Sequence, residues 1–160
     1  KENCKPKSKR YEHLLSEEEK WNLDEPNTYA QFSRNIQDII EKSRNFILEQ
    51  NQIGKKIIGL GASSKGNVLL QICGFDKESL PYISDRNKDK VGLRTLGTDF
   101  EIISEDMARD MKPDFMLVIP WSFKEEILER EQAYIQNGGK MLFLMPYPHY
   151  VDKNGETKLE

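Results

Sequence analysis

Ile57-Ile58-Gly59-Leu60-Gly61-Ala62-Ser63-Ser64-Lys65-Gly66-Asn67-Val68-Leu69-Leu70 is the stretch whose reading decides the fold. A short apolar run stops at glycines, a small polar loop follows, and a helix-compatible segment starts. The apolar run suits a buried parallel strand. Gly59 and Gly61 predict a sharp turn with backbone open to a ligand. Strand, glycine turn and helix in that order aim N–H groups and the positive end of a helix dipole at one point, where an anion such as phosphate is stable. Lys65 adds a cation at the mouth. The glycines are spaced Gly59-x-Gly61 with the next at Gly66, so G-x-G-x-x-G is not met; Gly61-x-x-x-x-Gly66 is followed by Asn67, so neither is a P-loop. A phosphate-bearing ligand and an ordinary tight turn both fit this pattern.

Outward from that turn, apolar strand candidates fall at 56–60, 80–84, 100–103, 114–119 and 140–145. Helix candidates alternate with them at 65–73, 104–111 and 122–137. The last has a capping-box start at Ser122-Phe123-Lys124-Glu125 and a stop at Asn137-Gly138-Gly139. Alternation predicts an α/β fold, a Rossmann-like three-layer α/β/α domain over 27–150 with a mostly parallel sheet of about five strands. Tyr29, Phe32, Ile36, Ile39, Ile40, Phe46 and Ile47 recur at three and four, one face of an amphipathic helix over 27–50 that starts near Pro26-Asn27. That helix is expected on the sheet through Phe32, Ile36, Ile40 and Ile47. Residues 1–26 read as a charged linker or helical N-terminal extension, expected as loop with one short helix at most. Residues 151–160 read as a tail.

The ends read as cut. The chain starts at Lys1, and five of its first ten residues are Lys or Arg. Leu159-Glu160 is either native or a cloning scar. One domain severed from a longer protein is expected.

Composition excludes several classes. The chain has 160 residues, enough for one real core, and a net charge of −3 that gives a nucleic-acid partner no electrostatic support. No apolar run approaches the roughly 18 residues of a membrane span. Cys4 and Cys73 have no Cys or His at ligand spacing, so no zinc site is read, and both suit free thiols in a reducing cytoplasm.

Ligands of such sheets bind past the carboxyl ends of the strands. Asp85 ends the second strand about 25 residues after the glycine turn. An acid there takes a ribose hydroxyl pair, or is a solvated turn residue in Asp85-Arg86-Asn87. Arg86 suits a phosphate or a surface ion pair. Ser63, Ser64 and Asn67 suit phosphate oxygens or a helix cap, roles that share one helix end. Trp121, after Pro120, suits base stacking, a cleft wall or a domain contact. His149 in the Pro-rich tail reads as structural or exposed. Tyr11-Glu12-His13 looks like a catalytic trio, but nothing there fixes its geometry, and no catalytic residue is read in the chain.

These residues resemble a family. Gly59-Leu60-Gly61-Ala62-Ser63-Ser64-Lys65-Gly66-Asn67 resembles the G-x-G-A-[ST]-x-K-[GS] turn in the C-terminal domain of sugar C-methyltransferases, which use S-adenosylmethionine on nucleotide-linked keto-sugars. Asp24-Glu25-Pro26-Asn27-Thr28-Tyr29-Ala30-Gln31-Phe32 resembles the family's "D-P-x-x-Y-x-x-F". Ile72-Cys73-Gly74 is similar to its "x-C-G". Asp85-Arg86-Asn87 with Lys90 and Gly97 resembles "D-x-x-x-x-K…P-G-T", with Leu96 where Pro is usual. Pro113-Asp114-Phe115 and Pro120-Trp121-Ser122-Phe123-Lys124-Glu125-Glu126-Ile127 resemble "P-D-Y…x-W-N-x-x-x-E-I". Gly138-Gly139-Lys140 and the Met145-Pro146 strand end complete a match over about residues 8 to 149.

The resemblance implies a Rossmann-like substrate domain that helps hold a nucleotide-sugar through Gly59, Gly61, Ala62, Ser63, Ser64, Lys65, Asn67, Asp85, Arg86 and Trp121. It implies no cofactor or metal in this fragment. S-adenosylmethionine, zinc and the catalytic Tyr/Glu/His group are expected in upstream domains, and Glu12 and His13 do not align with that group. An intramolecular contact with an upstream methyltransferase domain is implied, and the fragment alone is expected to be inactive. A regulatory module for a dinucleotide or coenzyme A, and a purely structural packing domain, are the rival readings.

Overall fold

The computed structural model describes residues 7–160, in two compact units that divide between Asp38 and Ile39. Cys4 lies outside the described residues. In the first unit, helix α1 (Lys9–Lys20) is capped by Ser8, whose hydroxyl accepts the Tyr11 N–H at 3.2 Å. It buries no residue. Tyr11, Glu12 and His13 lie on this helix and are exposed. The Tyr29 hydroxyl donates to the Leu23 carbonyl and the Thr28 hydroxyl to that of Asn22, which fixes the turn into helix α2 (Pro26–Gln52).

α2 meets the expected span and two of the four expected contacts: Ile47 joins the core beside the sheet and Ile40 packs against it, whereas Phe32 and Ile36 do not. Phe32 is 63% exposed and Ile36 half-buried, whereas Ile39, Ser43 and Ile47 are buried. The apolar periodicity is continuous, yet only the half from Ile39 onward belongs to the unit that contains the sheet.

That second unit is α/β. Its strands are β1 (Ile57–Leu60), β2 (Ile83–Asp85), β3 (Ile102–Ser104), β4 (Phe115–Val118), β5 (Lys140–Phe143), β6 (His149–Asp152) and β7 (Gly155–Lys158). They form one sheet in the order β3-β2-β1-β4-β5-β6-β7. The first five are parallel and the last two antiparallel. The sheet is therefore seven-stranded and mixed, which corrects the expected mostly parallel sheet of about five. The sequence expectation stopped at 150 because 151–160 is polar. Strands β6 and β7 form a hairpin of the type a polar edge permits, and β7 is exposed at every position.

Alternation along the strands divides the core. Ile57, Leu117 and Leu142 pack with Ile47 of α2 and with Leu70 and Cys73 of α3 (Ser64–Cys73). Leu60, Met116 and Phe143 pack on the other face with Ile127 of α5 (Lys124–Arg130) and Ile135 of α6 (Gln132–Gln136). Ile58 and Ile103 meet Ala108 of α4 (Glu105–Asp110). Each fully buried Ile, Leu or Phe contributes about 1.5–3 kcal/mol, so the apolar strands rather than helix propensity hold the unit together. Cys73 is a buried free thiol, and burial pushes its pKa up to about 11, so it stays protonated.

The expected 122–137 helix is broken. Trp121–Phe123 form a 3₁₀ turn, and α5 and α6 meet at Glu131. The capping box does not form: α5 has no side-chain cap, because Ser122 sits inside the 3₁₀ turn. The Glu131 carboxylate, 2% exposed, accepts from Arg109 at 2.8 Å and Arg130 at 2.9 Å. A buried charge persists only when paired in this way. The stop at Asn137-Gly138 is as expected, with Gly138 at φ +95°.

Candidate functional site

Strand order changes direction between β1 and β4, so the loops after these strands diverge to opposite faces and open a crevice. A cleft of about 420 Å³ occupies that place. Its walls come from the strand ends (Gly61, Ala62, Ser63, Asp85, Arg86, Glu105, Pro120) and from Lys90, Phe123, Glu126 and Arg130.

The glycine loop is built from local rules. Gly61 adopts φ +85°, where a side chain is strained, and a Cβ there would come within 2.7 Å of Pro120. Ser63 caps α3, its hydroxyl accepting the Gly66 N–H at 3.1 Å. Gly59 does something else. It lies inside β1 without positive φ, and a Cβ would stand 2.8 Å from the Ile83 side chain. Its small size serves strand packing, not the sharp turn expected of it.

Most loop donors are spent internally. The Gly61 N–H donates to the Ser84 carbonyl, the Ser63 N–H to the Gly61 carbonyl, and the Ala62 N–H to the Asp85 carboxylate. The first helical N–H groups, of Ser64 and Lys65, have no intrahelical acceptor and face outward from the helix start.

Asp85 is 9% exposed and fully engaged. Its Oδ2 accepts from Ala62 N–H and from Lys90 Nζ, each at 2.9 Å, and Oδ1 accepts the Asn87 N–H at 2.8 Å. The carboxylate that the sequence offers to a ribose holds the loop instead. Asn67 is likewise committed: its amide donates to the Leu96 carbonyl at 2.7 Å and accepts from the Thr98 hydroxyl at 3.0 Å. Ser64 and Lys65 are exposed beside the cleft and do not line it. Trp121 packs against the Leu60–Met116–Ile127 core cluster rather than lining the cleft.

Three cations line the cleft. Lys90 is held by Asp85, and Arg130 by Glu105 and Glu131. Arg86 is exposed and makes no ion pair among the described residues. The carboxylate of Glu126 is exposed on the opposite wall beside Phe123, which is 56% exposed. Sequence reasoning missed Phe123, Glu126 and Arg130. With Ile127 they stand at i, i+3, i+4 and i+7, one helical face, and that spacing after a strand end was the available signal.

His149 is fully buried and stacks on Phe143 at 5.1 Å. Its Nδ1 lies 2.7 Å from the Tyr147 carbonyl, which can only accept, so Nε2 is the acceptor for Lys124 Nζ at 2.6 Å. Burial holds its pKa below the ordinary value. Lys124 also donates to Glu156 at 2.6 Å, and the Tyr147 hydroxyl donates to Glu156 at 2.7 Å. These partners pull the Glu156 pKa down to about 2. The cluster ties the β6–β7 hairpin to α5.

Among the described residues, no group of three or more His, Cys, Asp or Glu could hold a metal ion, and no helix is long and apolar enough to cross a membrane. The family model described as the C-methyltransferase C-terminal domain matches residues 1–146, which include every residue of the cleft. The C-methyltransferase NovU of Streptomyces niveus is 28% identical to the chain over 138 residues, covering 86% of the chain. The chain spans 33% of that relative's length.

Proposed function

The chain belongs to the family of C-methyltransferase C-terminal domains, and from that premise we propose that its Rossmann-like unit holds the nucleotide end of a nucleotide-linked sugar. The single observation that carries this reading is the cleft past the carboxyl ends of β1, β2 and β4, where Arg86 lines the wall with no ion pair among the described residues and the first N–H groups of α3 stand beside it at the rim. A diphosphate there accepts from the Ser64 and Lys65 N–H groups and pairs with Arg86, with Lys65 adding charge at the rim. Phe123 offers an exposed ring to the base, and Glu126 takes the ribose hydroxyls in place of the committed Asp85. Gly61, Ala62 and Ser63 shape the wall, while Gly59, Asn67 and Trp121 support it from behind.

In the whole enzyme, S-adenosylmethionine would supply the methyl group to the carbon next to a keto group. In this reading that cofactor, with any zinc, is held by the methyltransferase part of the whole protein. This domain contributes remote binding energy that positions the reacting sugar. By itself it does not methylate. Its neighbour in the whole protein would be the methyltransferase domain.

Calorimetric titration tests the reading. dTDP-, GDP-, CDP- and UDP-sugars, free diphosphate, NAD, coenzyme A and S-adenosylmethionine are each added to the domain and to the full-length protein. A nucleotide-sugar should bind both and S-adenosylmethionine only the latter. Preference for NAD or coenzyme A would favour a regulatory module. No binding of any nucleotide by either protein would leave a structural packing domain.

A further inference from the structure

The glycine loop is held by side chains from the end of β2 and from the turn after it as well as by backbone hydrogen bonds. The two peptide units that flank the Ala62 Cα are each held: the Ala62 N–H donates to Asp85 Oδ2, and the Ala62 carbonyl accepts from Lys90 Nζ at 2.9 Å. The same ammonium pairs with the same Oδ2 at 2.9 Å. One cation therefore closes a small ring that joins the loop after β1 to the end of β2. Lys90 is seated firmly. It ends a 3₁₀ turn, Lys88–Lys90, capped by the Asn87 side chain, and two residues on, Gly92 donates to the Ile102 carbonyl of β3 at 2.8 Å.

Asp85 lines the cleft with 11% of its side chain exposed, and an anion in the cleft would meet its charge. Lys90 neutralises it at contact distance. We infer that Lys90 is a positioning residue: it sets the Ala62 backbone and masks Asp85, so that the cleft accepts a diphosphate. The inference rests on the nucleotide-sugar reading for its ligand, but its action on the loop does not.

Two measurements on the domain test it, with Lys90→Met, Lys90→Arg and the double variant Asp85→Asn/Lys90→Met. The first is amide hydrogen exchange. Lys90→Met should speed exchange at Ala62 and Ser63 while leaving Phe115, in the core, unchanged. The second is titration with a dTDP-sugar and with inorganic diphosphate. Lys90→Met should weaken both by about tenfold or more, the worth of one charge-assisted hydrogen bond. Lys90→Arg should bind nearly as the wild type does, and the double variant should regain affinity because the naked carboxylate is gone. Unchanged exchange at Ala62 overturns the inference whether or not a nucleotide binds. Wild-type affinity in Lys90→Met, or a double variant as weak as Lys90→Met, also overturns it. Fast exchange at Ala62 in a protein that binds no nucleotide would support the loop-setting role and sink the nucleotide reading instead.

Discussion

Gly66 stands so close to Ile119 that a Cβ built on it would lie 1.7 Å from the Ile119 Cγ2 atom. The contact sets how near α3 approaches the end of β4, and it also places the Ser63 cap, whose hydroxyl receives the Gly66 N–H. Gly66 does not have positive φ, so the constraint is steric rather than conformational.

Gly66→Ala should therefore destabilise the domain. Alanine inside a helix gains up to about 1 kcal/mol over glycine, but forcing a methyl group into a packed core costs typically about 1–3 kcal/mol, and this overlap is severe. A net loss of about 1–2 kcal/mol is expected. Urea denaturation should show a lower midpoint with an unchanged slope. An alanine variant as stable as the wild type would mean that α3 can move outward at no cost.

Acid should loosen the β6–β7 hairpin first. The folded Glu156 pKa is lowered to about 2, so its contribution is fully present above the unfolded value near 4.5 and is lost as pH falls toward 2. His149 is also shifted down, which favours its neutral form in the fold. Below its ordinary value of 6.5 the unfolded chain binds the proton more readily, so stability falls there too. Both effects have one sign: stability drops from about pH 6.5 downward. Melting curves of Glu156→Gln should lack the part of that decline below pH 4.5. Glu156 is partly solvated, so the difference should be modest.

β1, β3, β4 and β5 were legible as apolar runs bounded by Gly, Pro or charged residues, which is how a strand buried on both faces reads, whereas β2, Ile83-Ser84-Asp85, was legible only as the end of the apolar stretch that starts at Leu80. The hairpin 149–158 was not, because an edge strand such as Gly155-Glu156-Thr157-Lys158 carries no apolar signature. Phe32 read as core because periodicity reports an amphipathic face without reporting what covers it. At the candidate site, the sequence placed Gly61, Ala62, Ser63, Asp85 and Arg86 where the cleft wall runs, but not which groups are already engaged. Asp85 falls at the strand end as read, yet only three dimensions show its carboxylate spent on Ala62, Asn87 and Lys90. Trp121 and Phe123 are two residues apart in a 3₁₀ turn, and nothing in the sequence says which of them faces the core.

Arg86 and Lys65 should differ in their effects. Arg86 lines the cleft, whereas Lys65 stands outside its lining at the rim. A lining cation makes direct charge-assisted bonds worth about 1.5–3 kcal/mol, while a rim charge acts through solvent and contributes about 0–1 kcal/mol. In titrations of the full-length protein with a dTDP-sugar, Arg86→Ala should weaken binding at least tenfold and Lys65→Ala by severalfold at most. Salt should erase the Lys65 effect and leave most of the Arg86 effect. If Lys65→Ala loses more affinity than Arg86→Ala, the diphosphate pairs with the Lys65 side chain and not with Arg86.

Phe123 and Trp121 give the sharpest separation between binding and packing. Trp121 contacts the core cluster around Leu60, Met116 and Ile127, so its truncation leaves a cavity. Trp121→Ala should lower stability by about 3–5 kcal/mol if the site does not collapse, and less to the extent that it is only partly buried. Phe123 is 56% exposed and little of it is packed, so Phe123→Ala should leave the unfolding midpoint nearly unchanged. It should instead weaken a nucleotide-sugar by about 1–2 kcal/mol while leaving free diphosphate unaffected, because only the former has a ring to stack. The deciding measurement is the ratio of the two affinities in Phe123→Ala. A parallel loss for both ligands would show that Phe123 shapes the phosphate wall, and an equal loss of stability in the two variants would show that neither aromatic serves a ligand.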